Sequence, residues 1–223
     1  MLAGFQEGNK IIINKMKIDL DKFKLQYISA GNTNNQHLQG IKDVLEGGCK
    51  WIQLRIKNAT DDIKEIALET KELCKNYNAI FLINDYVDLA KETDADGVHL
   101  GKLDMNPAEA RNILGNKIIG GTANTFADVL ELNGKVDYIG LGPYRWTQTK
   151  KNLSPTIGID GYKEIFANIK KENITIPIAA IGGIELADVK ELIDIGANGI
   201  AVSSNIYNAP NRIQAVKNFL GML

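Results

Sequence analysis

The sequence predicts a single-domain (β/α)8 barrel of the TIM type, and three observations carry that prediction. Short apolar runs alternate with amphipathic stretches eight times along 223 residues. The polar residues cluster just past the ends of those runs, where a parallel barrel gathers its active-site loops. A composition of 44% hydrophobic and 24% charged residues is enough to bury one full core in a chain of this length.

The strand signals fall at about 23–29, 51–57, 79–84, 96–100, 117–120, 137–141, 175–181 and 197–203. Between them the helices carry ordinary start and stop signals. Thr60 is placed to cap a helix whose first turn holds Asp61 and Asp62, favourable at the positive helix N-terminus. Ile63, Ile66 and Leu68 then form its apolar stripe. The run from Leu186 to Asp194 repeats the pattern and stops before Gly196, a C-terminal glycine. An open doubly wound sheet would also alternate strands and helices, but no G-x-G-x-x-G turn follows the first strand, and eight units in about 200 residues favour closure. Residues 1–20 read as a peripheral N-terminal extension, with Met16 as an alternative start, and residues 21–223 as the barrel domain.

Composition narrows the partners. A net charge of −1 and a pI near 6.2 leave no basic excess for a nucleic-acid backbone, so anions are met locally by a few aimed donors. No run of eighteen apolar residues is present, and Gln6, Glu7, Asn9 and Lys10 occupy the place of a leader's apolar stretch, so a cytoplasmic location without membrane contact is expected. Cys49 and Cys74 are too few for a disulfide framework and read as small buried thiols. Two histidines, His37 in a polar loop and His99 on an apolar strand, leave neither a zinc site nor a nucleophilic triad, and His99 reads as a supporting group behind the site.

The chemistry lies at strand ends. In the second run, period-two alternation puts Gln53, Arg55 and Lys57 on one face and Ile52, Leu54 and Ile56 on the other. An exposed edge strand would carry such charges equally well. A closed barrel has no edge, and inward cations need an anion, which a ligand would supply. The third run ends in Asn84-Asp85, and the fourth is followed by Gly101-Lys102-Leu103-Asp104. An aspartate alone at such a place is more often a helix cap. Two carboxylates from adjacent strand ends, with an amide beside one of them, suit Mg²⁺, which keeps water and substrate phosphate in its shell. Past the sixth run, Gly142-Pro143-Tyr144-Arg145-Trp146 leads into Thr147, Gln148, Thr149 and Lys150, a polar loop able to bind phosphate and close as a lid. Gly182-Gly183 and Ser203-Ser204 follow strands seven and eight, the usual phosphate site of this fold.

These motifs, taken in order, resemble the thiamine phosphate synthase family. The likeness runs from about Lys24 to beyond Ser204 and includes Gln53-Leu54-Arg55-Ile56-Lys57, Ile83-Asn84-Asp85, Asp96-Gly97-Val98-His99-Leu100-Gly101, Asp137 to Pro143, Thr147-Gln148-Thr149-Lys150 and Ile181-Gly182-Gly183-Ile184. The resemblance implies a transferase that joins an aminopyrimidine methyl diphosphate to a thiazole ethyl phosphate, plain or carboxylated, and releases pyrophosphate. It implies that Gln53, Arg55, Lys57, Asn84 and Lys150 hold the pyrimidine diphosphate, with Arg55, Lys57 and Lys150 acting on the leaving group. Asp85 and Asp104 would bind Mg²⁺. Thr147, Gln148, Thr149, Gly183, Ser203 and Ser204 would hold the thiazole phosphate, and Thr122 stands where the family often has serine. The implied partners are small molecules, with homo-oligomerisation left open.

Two departures stand out: Trp146 occupies a place commonly held by proline, and Lys102-Leu103 one commonly held by Gln-Glu. A related thiazole tautomerase would lack the set Arg55, Lys57, Asp85 and Lys150, and a non-catalytic phosphate sensor would lack the metal ligands. Both are disfavoured by the residues present.

Overall fold

Eight parallel strands close into a barrel in sequence order, β1 pairing with both β2 and β8. The structure is a computed structural model and describes residues 19, 21–56, 63–146 and 155–223. The strands are β1 (Leu25–Ile28), β2 (Trp51–Leu54), β3 (Ile80–Asn84), β4 (Gly97–Leu100), β5 (Ile118–Ala123), β6 (Tyr138–Leu141), β7 (Ile178–Ile181) and β8 (Gly199–Val202). Each falls on a run read from the sequence. The proposed extension, apart from Asp19, lies outside the described residues, as do Thr60 and the aspartates after it.

Alternation divides each strand between two cores. Ile52 and Leu54 point outward into the layer between barrel and helices, with Ile41, Ile66, Ile83 and Val98. Trp51 points inward, where it joins Phe23, Leu82, Ile118, Tyr138 and Ala179. Its ring stacks on Phe23 at 3.9 Å and meets Tyr138 edge-on at 4.9 Å, so aromatic rings plug the barrel beneath the polar residues.

The helices are α1 (Asn34–Glu46), α2 (Ile63–Asn76), α3 (Val87–Glu92), α4 (Pro107–Leu114), α5 (Phe126–Leu132), α6 (Gly158–Lys171), α7 (Val189–Ile195), α8 (Ser204–Tyr207) and α9 (Arg212–Leu220). Thr33 caps α1, Asn106 caps α4 ahead of Pro107, and Thr125 with Asp128 forms a capping box on α5. A 3-10 turn, Leu186–Asp188, precedes α7, and Gly196 ends it at φ +127°. Among the described residues no helix is long and apolar enough to cross a membrane.

Three local readings are corrected. β5 runs to Ala123 instead of stopping near 120, because Gly120 and Gly121 continue the strand. A Cβ at Gly120 would lie 2.6 Å from His99 Nδ1 and against the Tyr138 ring, so glycine there makes room and does not mark a turn. His37 belongs to α1 and is buried. The second run keeps ladder pairing only to Leu54, although Arg55 still lines the mouth. Both cysteines are buried, and burial raises both thiols, Cys49 to about 11, which keeps them protonated and unreactive.

Candidate active site

The carboxyl ends of the strands surround a cavity of about 640 Å³. Every described candidate from the sequence lines it: Gln53, Arg55, Asn84, Asp85, Asp104, Thr122, Gly183, Ser203 and Ser204. Lys57, Thr147, Gln148, Thr149 and Lys150 lie outside the described residues.

One end of the cavity is built on β2 and β3. Gln53 is buried, and its Nε2 donates to Asn84 Oδ1 at 2.7 Å. That bond fixes both amides, and among the described residues Gln53 Oε1 is buried with no hydrogen-bond partner. An orphaned buried acceptor costs about 1–3 kcal/mol, so this atom is complementary to a ligand N–H. Arg55 sits beside it, half-buried. Burial pulls its guanidinium below the usual range, while Asp85 and Asp104 act in the opposite direction. One cation thus senses both carboxylates.

Asp85 adopts φ +67°, a left-handed conformation that is uncommon for a residue with a side chain. Its N–H donates to His99 C=O at 3.0 Å, and Tyr86 N–H turns back to Asn84 C=O at 2.8 Å, so the β3 end is bent sharply to present the carboxylate. Asp104 is exposed and is oriented by the Gly101 N–H, which donates to Oδ2 at 2.6 Å. A Cβ at position 101 would stand 2.7 Å from that oxygen and would push the exposed Asp104 carboxylate aside. Among the described residues no cluster of three or more His, Cys, Asp or Glu side chains could hold a metal. The donor set is therefore two carboxylates, which fits a Mg²⁺ ion that keeps much of its shell as water and phosphate oxygen. Of the residues that depart from the family pattern, Lys102 is drawn to Asp128 on α5 at 2.7 Å, Leu103 is almost fully exposed, and Trp146 is exposed. Asp104 is thus held by Gly101 and not by its two predecessors.

The other end is made of backbone. Gly182 and Gly183 are both left-handed, at φ +97° and +69°, and face the start of α8 at Ser203 and Ser204. Two successive left-handed glycines bare N–H groups to an anion. This loop is braced by Arg145, a residue without a role in the sequence reading. Arg145 Nη1 donates to Gly183 C=O at 2.6 Å, and its two terminal nitrogens grip the Asp188 carboxylate at 2.6 and 2.9 Å. Asn205 Nδ2 donates to Ile184 C=O at 2.7 Å and ties the same loop to α8.

Another unanticipated pair supports Arg55. Ser29 Oγ accepts from the Arg55 N–H at 3.0 Å and lies within hydrogen-bond distance, 2.8 Å, of His37 Nδ1. Burial lowers the His37 pKa below its ordinary value, opposed by the Gly31 backbone.

A closed parallel barrel with carboxylates and arginine at one side of its mouth and a left-handed glycine loop at the other has the make-up of an enzyme for small-molecule substrates. Comparison with known proteins supplies the family. The profile of thiamine monophosphate synthase matches residues 25–206. A thiamine-phosphate synthase of Bacteroides fragilis is 48% identical over 201 residues, covering 89% of this chain and 98% of that one. The Flavobacterium johnsoniae counterpart is 52% identical over 186 residues, 82% of this chain and 88% of that one. A solved structure of thiamine phosphate pyrophosphorylase from Pyrococcus furiosus superposes with a TM-score of 0.81 at 34% identity, covering 91% and 96% of the two chains. The chain belongs to the thiamine monophosphate synthase family and is a transferase of thiamine biosynthesis.

Proposed function

We propose that this enzyme condenses 4-amino-2-methyl-5-pyrimidinylmethyl diphosphate with 4-methyl-5-(2-phosphoethyl)thiazole to give thiamine phosphate and pyrophosphate, or with its carboxylated form to give the same products and carbon dioxide. The observation that carries this reading is that one cavity joins the Arg55, Asp85 and Asp104 end to the Gly182–Gly183 cradle, so two differently charged substrates can lie together.

The C–O bond between the pyrimidine methylene and the diphosphate breaks, and its electron pair leaves with pyrophosphate. The electron-rich aminopyrimidine carries the resulting positive charge, and the thiazole nitrogen lone pair forms the new C–N bond. The nitrogen becomes quaternary, and no proton has to be removed. The protein's tasks are therefore positional and electrostatic.

Gln53 Oε1, lacking a partner among the described residues, suits the exocyclic amine of the pyrimidine. Arg55 faces the diphosphate, with Lys57 and Lys150 assigned to the same anion by the family likeness. Asp85 and Asp104 would hold Mg²⁺, whose charge, when bound, offsets that of the departing pyrophosphate. Gly183, Ser203 and Ser204 would take the thiazole phosphate, with Thr147, Gln148 and Thr149 closing over it. A second reading, binding without turnover, is disfavoured by the paired carboxylates beside Arg55.

Stoichiometry tests the proposal. Thiamine phosphate and pyrophosphate should appear in equal amounts only when both substrates are present. Pyrophosphate release from the pyrimidine substrate alone at the full rate would contradict it.

A further inference from the structure

Behind the site a buried hydrogen-bond chain crosses the barrel. Gln26 Nε2 donates to Tyr138 Oη at 3.2 Å, Tyr138 Oη lies 2.8 Å from His99 Nδ1, and His99 Nε2 lies 3.0 Å from Thr122 Oγ1, which opens onto the cavity. Gln26, Tyr138 and His99 are all buried. The wall is hollowed to admit them: a Cβ on Gly120 would stand 2.6 Å from His99 Nδ1, and one on Gly140 would stand 3.0 Å from His99 Cε1. Those glycines sit opposite His99 and Thr122 in the strand register, so room is made on both sides of the imidazole.

The donors and acceptors set a direction. Tyr138 Oη already accepts from Gln26, and burial raises the phenol pKa, so it keeps its hydrogen. A buried O–H needs an acceptor, and His99 Nδ1 lies within reach. With Nδ1 accepting, the neutral ring carries its proton on Nε2 and donates to Thr122 Oγ1. The threonine hydrogen is then free to point into the cavity. In the opposite tautomer the imidazole would take that hydrogen, and Thr122 would present lone pairs only.

We propose that Gln26, Tyr138 and His99 are positioning residues that fix His99 as its Nε2–H tautomer and so make the Thr122 hydroxyl a preorganised hydrogen-bond donor to an acceptor atom of the bound substrate. The tautomer follows from the protein alone. That the acceptor belongs to a reacting substrate rests on the synthase reading above.

The test separates the two. Long-range ¹H–¹⁵N correlation spectra of the ligand-free, ¹⁵N-labelled protein show which ring nitrogen carries the proton, and a His99→Gln sample identifies the His99 signals by their loss. The proposal predicts Nε2–H for His99. In Tyr138→Phe, which removes one oxygen, the Nδ1–H form should appear. The kcat should fall about tenfold, the lower end of what losing an orienting outer partner costs, with a smaller change in KM. Thr122→Val should lower kcat further, by about 100-fold, and Thr122→Ser should retain most of it. An Nδ1–H tautomer in the unsubstituted protein would overturn the proposal whatever the stability of the variants. So would a folded Tyr138→Phe enzyme with unchanged tautomer and kcat. The predicted tautomer in a protein without synthase activity would uphold the relay and refute the functional reading instead.

Discussion

Replacing Gly183 by alanine should damage stability and one substrate's binding together, and the structure sets the size of each effect. At φ +69° an L-residue meets a backbone penalty of about 1–2 kcal/mol. The new Cβ would also lie 2.7 Å from Arg145 Cγ. Arg145 cannot simply swing aside, because it is held by Asp188 at 2.6 and 2.9 Å and by the Gly183 carbonyl at 2.6 Å. Crowding of this kind adds about 1–3 kcal/mol, for a total of roughly 2–5 kcal/mol. At about 2–4 °C per kcal/mol for a chain of this size, Tm should fall by roughly 4–20 °C. Loss of one charge-assisted N–H contact to the thiazole phosphate, worth about 1.5 kcal/mol, should raise its KM about tenfold. The assays are thermal unfolding and initial rates with each substrate varied in turn. Gly134→Ala is the control, since Gly134 is left-handed at φ +80° with nothing within 4 Å of a Cβ, so only the backbone penalty applies. A Gly183→Ala protein with the Tm and thiazole phosphate KM of the parent would refute this account of the cradle. A KM rise confined to the pyrimidine diphosphate would assign the two ends of the cavity the wrong way round.

Two further predictions use the other end of the site. Asp85→Asn keeps a residue tolerant of the left-handed conformation while removing the charge, so turnover should fall on the order of 100-fold with little change in Tm or thiazole phosphate binding; near-normal turnover would remove Asp85 from the metal role. The folded-state pKa of His37 lies below its ordinary value near 6.5. The unfolded chain therefore binds more protons as pH falls, and the stability from neutral His37 is present above about pH 6.5 and lost as pH drops through the folded value. Urea unfolding across that window should show the loss, and His37→Gln should flatten it; an unaltered slope in the variant would place the titration elsewhere.

The barrel was legible because strand and helix periods are local properties. Period-two alternation put Gln53 and Arg55 on one face, closure of the barrel turned that face inward, and both line the cavity. What escaped was set by contacts between distant segments. Gln26 and Tyr138 are 112 residues apart, and Arg145 and Asp188 are 43 apart, so neither pairing leaves a local pattern. The end of β5 was misplaced because Gly120-Gly121 looks like a breaker until the bulk of Tyr138 and His99 beside it is seen. His37 likewise looks solvent-exposed among polar neighbours, and only the fold brings it to Ser29 behind Arg55.

The most direct test of the central claim is joint formation of thiamine phosphate and pyrophosphate from the two substrates, measured with Mg²⁺ and again with excess chelator. The account predicts equal appearance of both products with Mg²⁺, collapse on chelation and recovery when Mg²⁺ is restored. Full turnover in the presence of chelator would contradict the role given to Asp85 and Asp104, and no product with Mg²⁺ despite thiazole phosphate binding would contradict the synthase reading itself.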